Sequence, residues 1–367
     1  MIYFIYPKYD STIYEDSKYL NTGLDSVLEI GKYIASTGSI VTTSSINNSR
    51  ALLKFDYSDL SPLVVAGYTT SSAIYNLQLF TTEIRQSPTT YTFIVHPVSG
   101  SWESGIGKLE YGTKVTEGVG WRYTTGLGSR IEWSTASYTA GTTGSWTSNP
   151  GGANWYTASV SKTINYNESS DINIDITNLV TAHLSGSITN NGFIIKRTDS
   201  DEQSLGDNGR FMFFSVDTNT IYPPRLKVSI DDAIFFTGSK TVLSSGDNTI
   251  YFNNLNAVYT DTDIAQIQLT GREKYPTKTF ITSSNYIAAV KLLPSSSYYA
   301  IKDLQTEETV IDFDDYTKIS CSGSYNYFNI FMGALQTERY YRILVKVKYS
   351  NNDVRVYDAN NVFKVVR

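Results

Sequence analysis

Cysteine is almost missing from this chain: Cys321 stands alone among 367 residues. A lone thiol forms no intrachain disulfide, which excludes a stapled secreted scaffold. It fits a fold made in a reducing compartment, or one that needs no staples. Histidine is as scarce. His96 and His183 are the only two, and neither stands at a metal-ligand spacing. No apolar run approaches the roughly 18 residues of a membrane-spanning helix. The opening segment, Met1 to Pro7, is apolar but too short for a signal peptide and has no charged leading region. Charged residues are only 18%, and the net charge of −5 comes without a basic stripe, so no nucleic-acid footprint is present. No Gly-rich loop leads from a strand into a helix, which excludes a phosphate cradle of that kind.

What is present is aromatic and β-prone. Tyrosine numbers 29 and phenylalanine 16, against three methionines, and 41% of the chain is hydrophobic. That content supports real cores and argues against disorder. Tyr, Phe, Thr, Ile and Val suit pleated, half-buried surfaces, so the expected fold class is all-β. A length of 367 residues allows two domains or a few small ones.

The patterning agrees. Strands are expected over Ile2–Tyr6, Ser11–Tyr14, Ala51–Phe55, Ser72–Phe80, Tyr91–Pro97, Asp171–Ile176 and Gly192–Lys196. In Ala51–Phe55, alternation sets Leu52 and Lys54 on a wetter face than Leu53 and Phe55. One helix is expected, Ile176–Leu184, capped by Thr177 or Asn178. Gly209–Phe214 reads as a strand followed by a polar turn and Pro223-Pro224. The double proline stops any helix, and a strand then closes over Arg225–Ile230. Residues 99–157 hold all five tryptophans amid Gly and Ser, and read as long loops laid over a sandwich. Past Asp231-Asp232 the tryptophans stop, and short strands recur with turns between them. They are Thr249–Phe252, Ala265–Leu269, Tyr298–Asp303, Tyr327–Met332, Tyr340–Val347 and Asn361–Val366. The expected architecture is a β-sandwich over about 1–230, then one or two small Ig-like sandwiches over about 231–367.

Three constellations could carry function. Trp102, Trp121, Trp133, Trp146 and Trp155 could pack the long loops, anchor a subunit contact or stack on sugar rings. Asp199, Asp201, Glu202 and Asp207 form an acidic loop with hard oxygen ligands for Ca²⁺. The spacing matches no EF-hand, and a solvated loop or a basic neighbour suits it as well. Glu103 and Glu132, each beside a tryptophan, are the best carboxylates for glycoside hydrolysis. Cys321, in Ser-Cys-Ser-Gly, shows no nucleophile elbow and reads as a small core or turn thiol.

Several segments resemble known proteins. Asp10-Ser11-Thr12-Ile13-Tyr14-Glu15, Asn21-Thr22-Gly23, Leu28-Glu29-Ile30-Gly31, Ser49–Asp56 and Ser72-Ala73 resemble the jelly-roll group of DNRLRE-type and related carbohydrate-binding-like domains. The six-letter motif that names that group is absent. Trp102–Gly107, Asn191–Lys196 and Phe213–Pro224, with Gly271–Pro276, Glu338–Tyr341 and Phe363–Arg367, resemble virion structural proteins of tailed bacteriophages. The resemblance spans nearly the whole chain. It implies a jelly-roll N-terminal domain and a non-enzymatic role in a virion, after synthesis in the host bacterial cytoplasm. It implies contacts with other virion proteins of the head, neck, tail or fibre, symmetric homo-oligomerisation, and no nucleic-acid or membrane partner. Without the Ca²⁺ of the acidic loop, no cofactor is expected. The alternative is a carbohydrate-binding sandwich that attaches a particle to surface glycan through the tryptophans.

Overall fold

The structure, a computed structural model, describes residues 1–35, 46–86, 88–110, 113–126, 130–133, 151–206, 209–244, 247–276 and 290–367, and the backbone alone of 142–144. The fold is all-β, built of mainly antiparallel sheets in sandwiches, one sheet curled like a half-barrel. The chain divides into two compact units, Ile5–Lys227 and Met1–Phe4 with Val228–Arg367. The four opening residues thus fall in the same unit as the C-terminal half, a pairing distant in sequence.

Up to Ser229 the strands are β1 (Ile2–Ile5), β2 (Pro7–Tyr14), β3 (Val27–Ile34), β4 (Ile46–Phe55), β5 (Ile74–Leu79), β6 (Thr81–Arg85), β7 (Thr90–Pro97), β8 (Thr142–Gly144), β9 (Asn154–Tyr156), β10 (Val160–Asn165), β11 (Ile172–Asp175), β12 (Phe193–Arg197), β13 (Gly209–Phe214) and β14 (Arg225–Ser229). An eight-stranded sheet runs β10-β7-β12-β4-β3-β13-β6, with β2 also paired to β4. A four-stranded sheet runs β1-β14-β5-β11. The ten-residue β4 makes this possible, because β3 pairs with its first part, Ile46 to Ser49, and β2 with the rest, Ser49 to Phe55.

Alternation is clean in β5 and β7, where every second side chain is buried. The curled eight-stranded sheet closes on an aromatic core of its own β7 and β13 residues. Tyr91, Phe93, Phe211 and Phe213 lie with ring centroids 4.3 to 6.4 Å apart, within the range where edge and offset contacts add to burial. Alternation fails in β12, which is buried at every position, and nearly so in β4. The expected wetter face of β4 is wet only in part: Lys54 is half-buried, whereas Leu52 is fully buried. The tryptophan-bearing loops cover that face, so both sides of the central strands are interior.

The helix prediction needs correcting in two respects. The helix Thr177–Leu184 begins at Ile176 without a side-chain cap. Thr177 lies inside it, and its hydroxyl accepts from Tyr75 N–H at 2.9 Å and donates to Asp175 at 2.5 Å. Two five-residue helices also occur, at Ser61–Val65 and Asp199–Gln203. In chain order these helices are α1 (Ser61–Val65), α2 (Thr177–Leu184) and α3 (Asp199–Gln203). The stretch read as an acidic loop therefore contains α3, whose first turn Thr198 caps by accepting from Asp201 N–H at 3.1 Å.

The other unit holds β15 (Phe235–Phe236), β16 (Asn248–Phe252), β17 (Val258–Thr260), β18 (Ile264–Glu273), β19 (Ser297–Asp303), β20 (Thr309–Ile311), β21 (Ser320–Ser322), β22 (Asn326–Phe331), β23 (Arg339–Lys348) and β24 (Val354–Val366). They form two five-stranded sheets, β15-β21-β22-β18-β16 and β17-β24-β23-β19-β20. Tyr299 of one sheet stacks on Phe328 of the other at 4.1 Å between ring centroids, which places the core between the sheets. The last strand is longer than its sequence pattern implies, because residues from Val354 onward alternate with exposed positions that carry little hydrophobic signal.

Candidate functional site

Two of the constellations picked from sequence, the tryptophans and the acidic stretch, meet at one place in the fold. Trp102, Trp121, Trp133 and Trp155 are all buried, in a cluster with Ile13 of β2, Leu52 of β4, Ile194 of β12, Val98, Val119 and Ala153. Trp146 lies outside the described residues. The indole N–H of Trp102 donates to Asn191 O at 2.8 Å, and that of Trp133 to Gly120 O at 3.1 Å. Asn21 ties the same loops down. Its amide donates to Ser104 O at 2.5 Å and Val119 O at 2.8 Å, and its oxygen accepts from Gly107 N–H at 2.8 Å. The Asn21-Thr22-Gly23 and Trp102–Gly107 segments, distant in sequence, are thus one hydrogen-bonded unit. Gly151, at φ +121°, lies against Trp121, where an added Cβ would come within 2.1 Å of the Trp121 carbonyl oxygen.

The centre of this layer is Arg50. Its guanidinium lies 4.8 Å from the Trp121 ring and 5.3 Å from the Trp155 ring, and bonds Gly152 O. It forms a fork with Glu202 of α3, Nε to Oε1 at 3.0 Å and a terminal nitrogen to Oε2 at 2.7 Å. Lys196, fully buried on β12, reaches Glu202 at 3.1 Å and Asp199 at 2.5 Å, and stands over Trp155 at 5.2 Å. Arg197 pairs with Asp201 at 3.7 Å. Lys32 donates to the carbonyls of Asp201, Ser204 and Gly206 at 2.5 to 2.8 Å, so a buried cation meets the C-terminal end of α3.

This geometry reassigns the acidic residues. The Asp199, Asp201 and Glu202 carboxylates are each turned to a cation of the chain. Asp207 lies outside the described residues. Among the described residues no cluster of His, Cys, Asp or Glu is arranged to hold a metal ion. Glu132 pairs with Arg122 at 2.9 Å, and Glu103 is exposed. Cys321 is buried and its thiol donates to Phe236 O at 3.1 Å. His96 donates from Nδ1 toward Tyr156 O and Ala158 O, both at 3.1 Å. His183 contacts the Tyr57 hydroxyl at 3.1 Å. Burial pushes both imidazoles down to about 4, with Lys196 adding to the effect on His96, so both are neutral near pH 7.

Sequence reasoning passed over Asp10. It is 1% exposed, and its carboxylate accepts from Val216 N–H at 2.7 Å. Burial, with Asp217 and Asp25 adding, pushes its pKa up to about 7 against the pull of that N–H. The folded state therefore holds a proton that the unfolded chain releases at lower pH. The resulting stability is fully present below the ordinary carboxylate range and is lost as pH rises through about 7. Asp10→Asn keeps the acceptor oxygen without the charge. Its stability relative to the parent is expected to rise by about 2–4 kcal/mol between pH 4 and pH 8. Parallel urea melts across that range check it, and a constant difference contradicts it. The two histidines act with the opposite sign between about 6.5 and about 4, and cancel in that comparison.

Comparison with family models, with curated proteins and with solved structures gives no match.

Exposed apolar groups sit elsewhere. Ile234 is 63% and Phe236 is 64% exposed, with Phe235 exposed between them. They surround β15, the end strand of its sheet, joined to β21 by parallel pairing of Phe235 with Cys321 and Phe236 with Ser322. Cys321 N–H donates to Ile234 O at 2.7 Å, which fixes the segment from the inner side. Its outer edge has no partner strand among the described residues.

Proposed function

We propose that this chain is a non-enzymatic structural component of a tailed-bacteriophage virion, acting through protein–protein contacts in a symmetric assembly. The supporting observation is how the aromatic residues are divided. The described tryptophans are buried inside the fold, two of them against Arg50. The Ile234–Phe236 segment instead presents apolar side chains and an open backbone edge at a sheet end. Such an edge favours pairing with another chain, and large apolar groups there favour a partner that covers them. The resemblance at Trp102–Gly107 and Phe213–Pro224 makes that partner another virion protein or another copy.

Mass spectrometry of purified particles from the source lysate tests the reading. The chain is expected at a fixed stoichiometry to the major particle proteins. Its absence from particles counts against a virion role.

A further inference from the structure

A hollow of about 580 Å³ opens between β6 and β10, the two end strands of the curled eight-stranded sheet. Ile84 of β6 lines one side. Ile164 of β10, and Tyr166 just past it, line the other, and Pro88 and Thr89 come from the connection between β6 and β7. Tyr166 N–H donates to Thr89 O at 3.0 Å, which ties that connection to the end of β10. The floor is Phe211 of β13, 1% exposed and opposite Ile84 in register. Its ring lies 4.3 Å from that of Tyr91, so the hollow is a side entrance to the aromatic core.

Ile84, Pro88, Ile164, Tyr166 and Phe211 give the hollow an apolar lining. Its polar groups Asn165 and Glu168 bond each other at 3.2 and 3.3 Å, so they do not serve a polar ligand. Yet Ile84 is 37% and Tyr166 is 79% exposed, and covering such groups is favourable. The rim is charged. Lys162 shares a face of β10 with Ile164, and Glu168 follows in the next turn, where the Asn165 bonds hold its carboxyl below the usual range.

The Ile234–Phe236 segment has the converse form. It projects large apolar side chains, with exposed Asp231 before it and exposed Lys240 after it. The Phe236 ring rests against Gly323, where an added Cβ would come within 3.2 Å of it. We infer that the Ile234–Phe236 projection of one copy docks in the β6–β10 hollow of a second copy. Apolar side chains then cover an apolar hollow, and in one orientation Asp231 faces Lys162 while Lys240 faces Glu168. Such a contact joins unlike surfaces, so each copy keeps one projection and one hollow for further neighbours, and the series closes into a ring or extends as a filament. The inference rests on the assembly role proposed above and names this chain as the partner.

Sedimentation velocity on the full chain tests it. The parent is expected to self-associate with a Kd of about 100 µM or tighter. Ile234→Ser with Phe236→Ser removes the projection, and Ile84→Glu puts a carboxylate in the hollow. These side chains are exposed, so the variants are expected to keep the parent's melting temperature; Tyr166→Asp, at a more exposed position, serves if Ile84→Glu unfolds. Each variant alone is expected to associate at least about tenfold more weakly. Mixed one to one, the projection variant and the hollow variant retain one intact contact, so they are expected to form dimers of parental affinity that grow no further. A parent that is monomeric at about 100 µM, a hollow variant that associates like the parent, or a mixture no tighter than its components overturns the inference. None of these results bears on whether the chain is found in particles, so this failure and failure of the virion reading are separable.

Discussion

Glu202→Ala is expected to destabilise the protein by about 3–5 kcal/mol, the range for removing one partner of a buried ion pair. Glu202 is 4% exposed and serves two cations, the Arg50 fork and Lys196, both essentially fully buried. Alanine leaves Arg50 with the Gly152 carbonyl and two indole faces, and Lys196 with Asp199 and the Arg197 carbonyl. Neither set replaces a carboxylate fork. A loss of that size is a large share of the 5–15 kcal/mol that typically holds a domain. Asp199→Ala is the control. That carboxylate is half exposed, and its loss is expected to cost about 1 kcal/mol or less. Urea melts of the two variants check the contrast, and equal losses contradict it.

Trp155→Ala has the second large effect, about 3–5 kcal/mol for truncating a buried indole. Trp155 is 1% exposed, sits on β9, and bridges to Val98. It is also the ring under both Arg50 and Lys196, so its loss removes two cation–π contacts of about 0.5–2 kcal/mol each. Trp155→Phe keeps a ring beneath the cations and is expected to lose less than half as much. Thermal and urea unfolding of the pair check it, with equal losses arguing that the cations gain nothing from the ring.

Much of the fold was legible because period-two alternation survives wherever one sheet face is buried, as in β5, β7 and β18. It failed at β4 and β12, where the tryptophan layer covers the second face and polar residues such as Arg50 and Lys196 stand in the interior. A charge in a strand reads as solvent-facing unless its partner is known. Here the partner is Glu202, 152 residues away. The same distance hid the link between the tryptophans and the acidic stretch, each of which suggested a ligand when read alone. Once Arg50 joins them, their composition is accounted for by packing and charge pairing. Thr198 and Asp201 illustrate the opposite case. A Thr followed by acidic residues is a helix start, and the cap at Thr198 was readable locally. Asp10 gave no signal, since its raised pKa comes from burial that only the tertiary fold supplies. The hollow between β6 and β10 was equally silent, because Ile84, Ile164 and Phe211 are brought together only by the curl of the sheet.

The central claim is that Arg50 and Glu202 join the tryptophan layer to α3 as one cooperative core. A double-mutant cycle on Arg50→Met and Glu202→Leu measures it directly. Each single change strands a buried charge, whereas the double change leaves an apolar pair of similar size. The account predicts a coupling energy of about 2 kcal/mol or more, with the double variant more stable than the sum of the two losses implies. Additive losses, with coupling near zero, would show that the two side chains do not act as a unit and would contradict it.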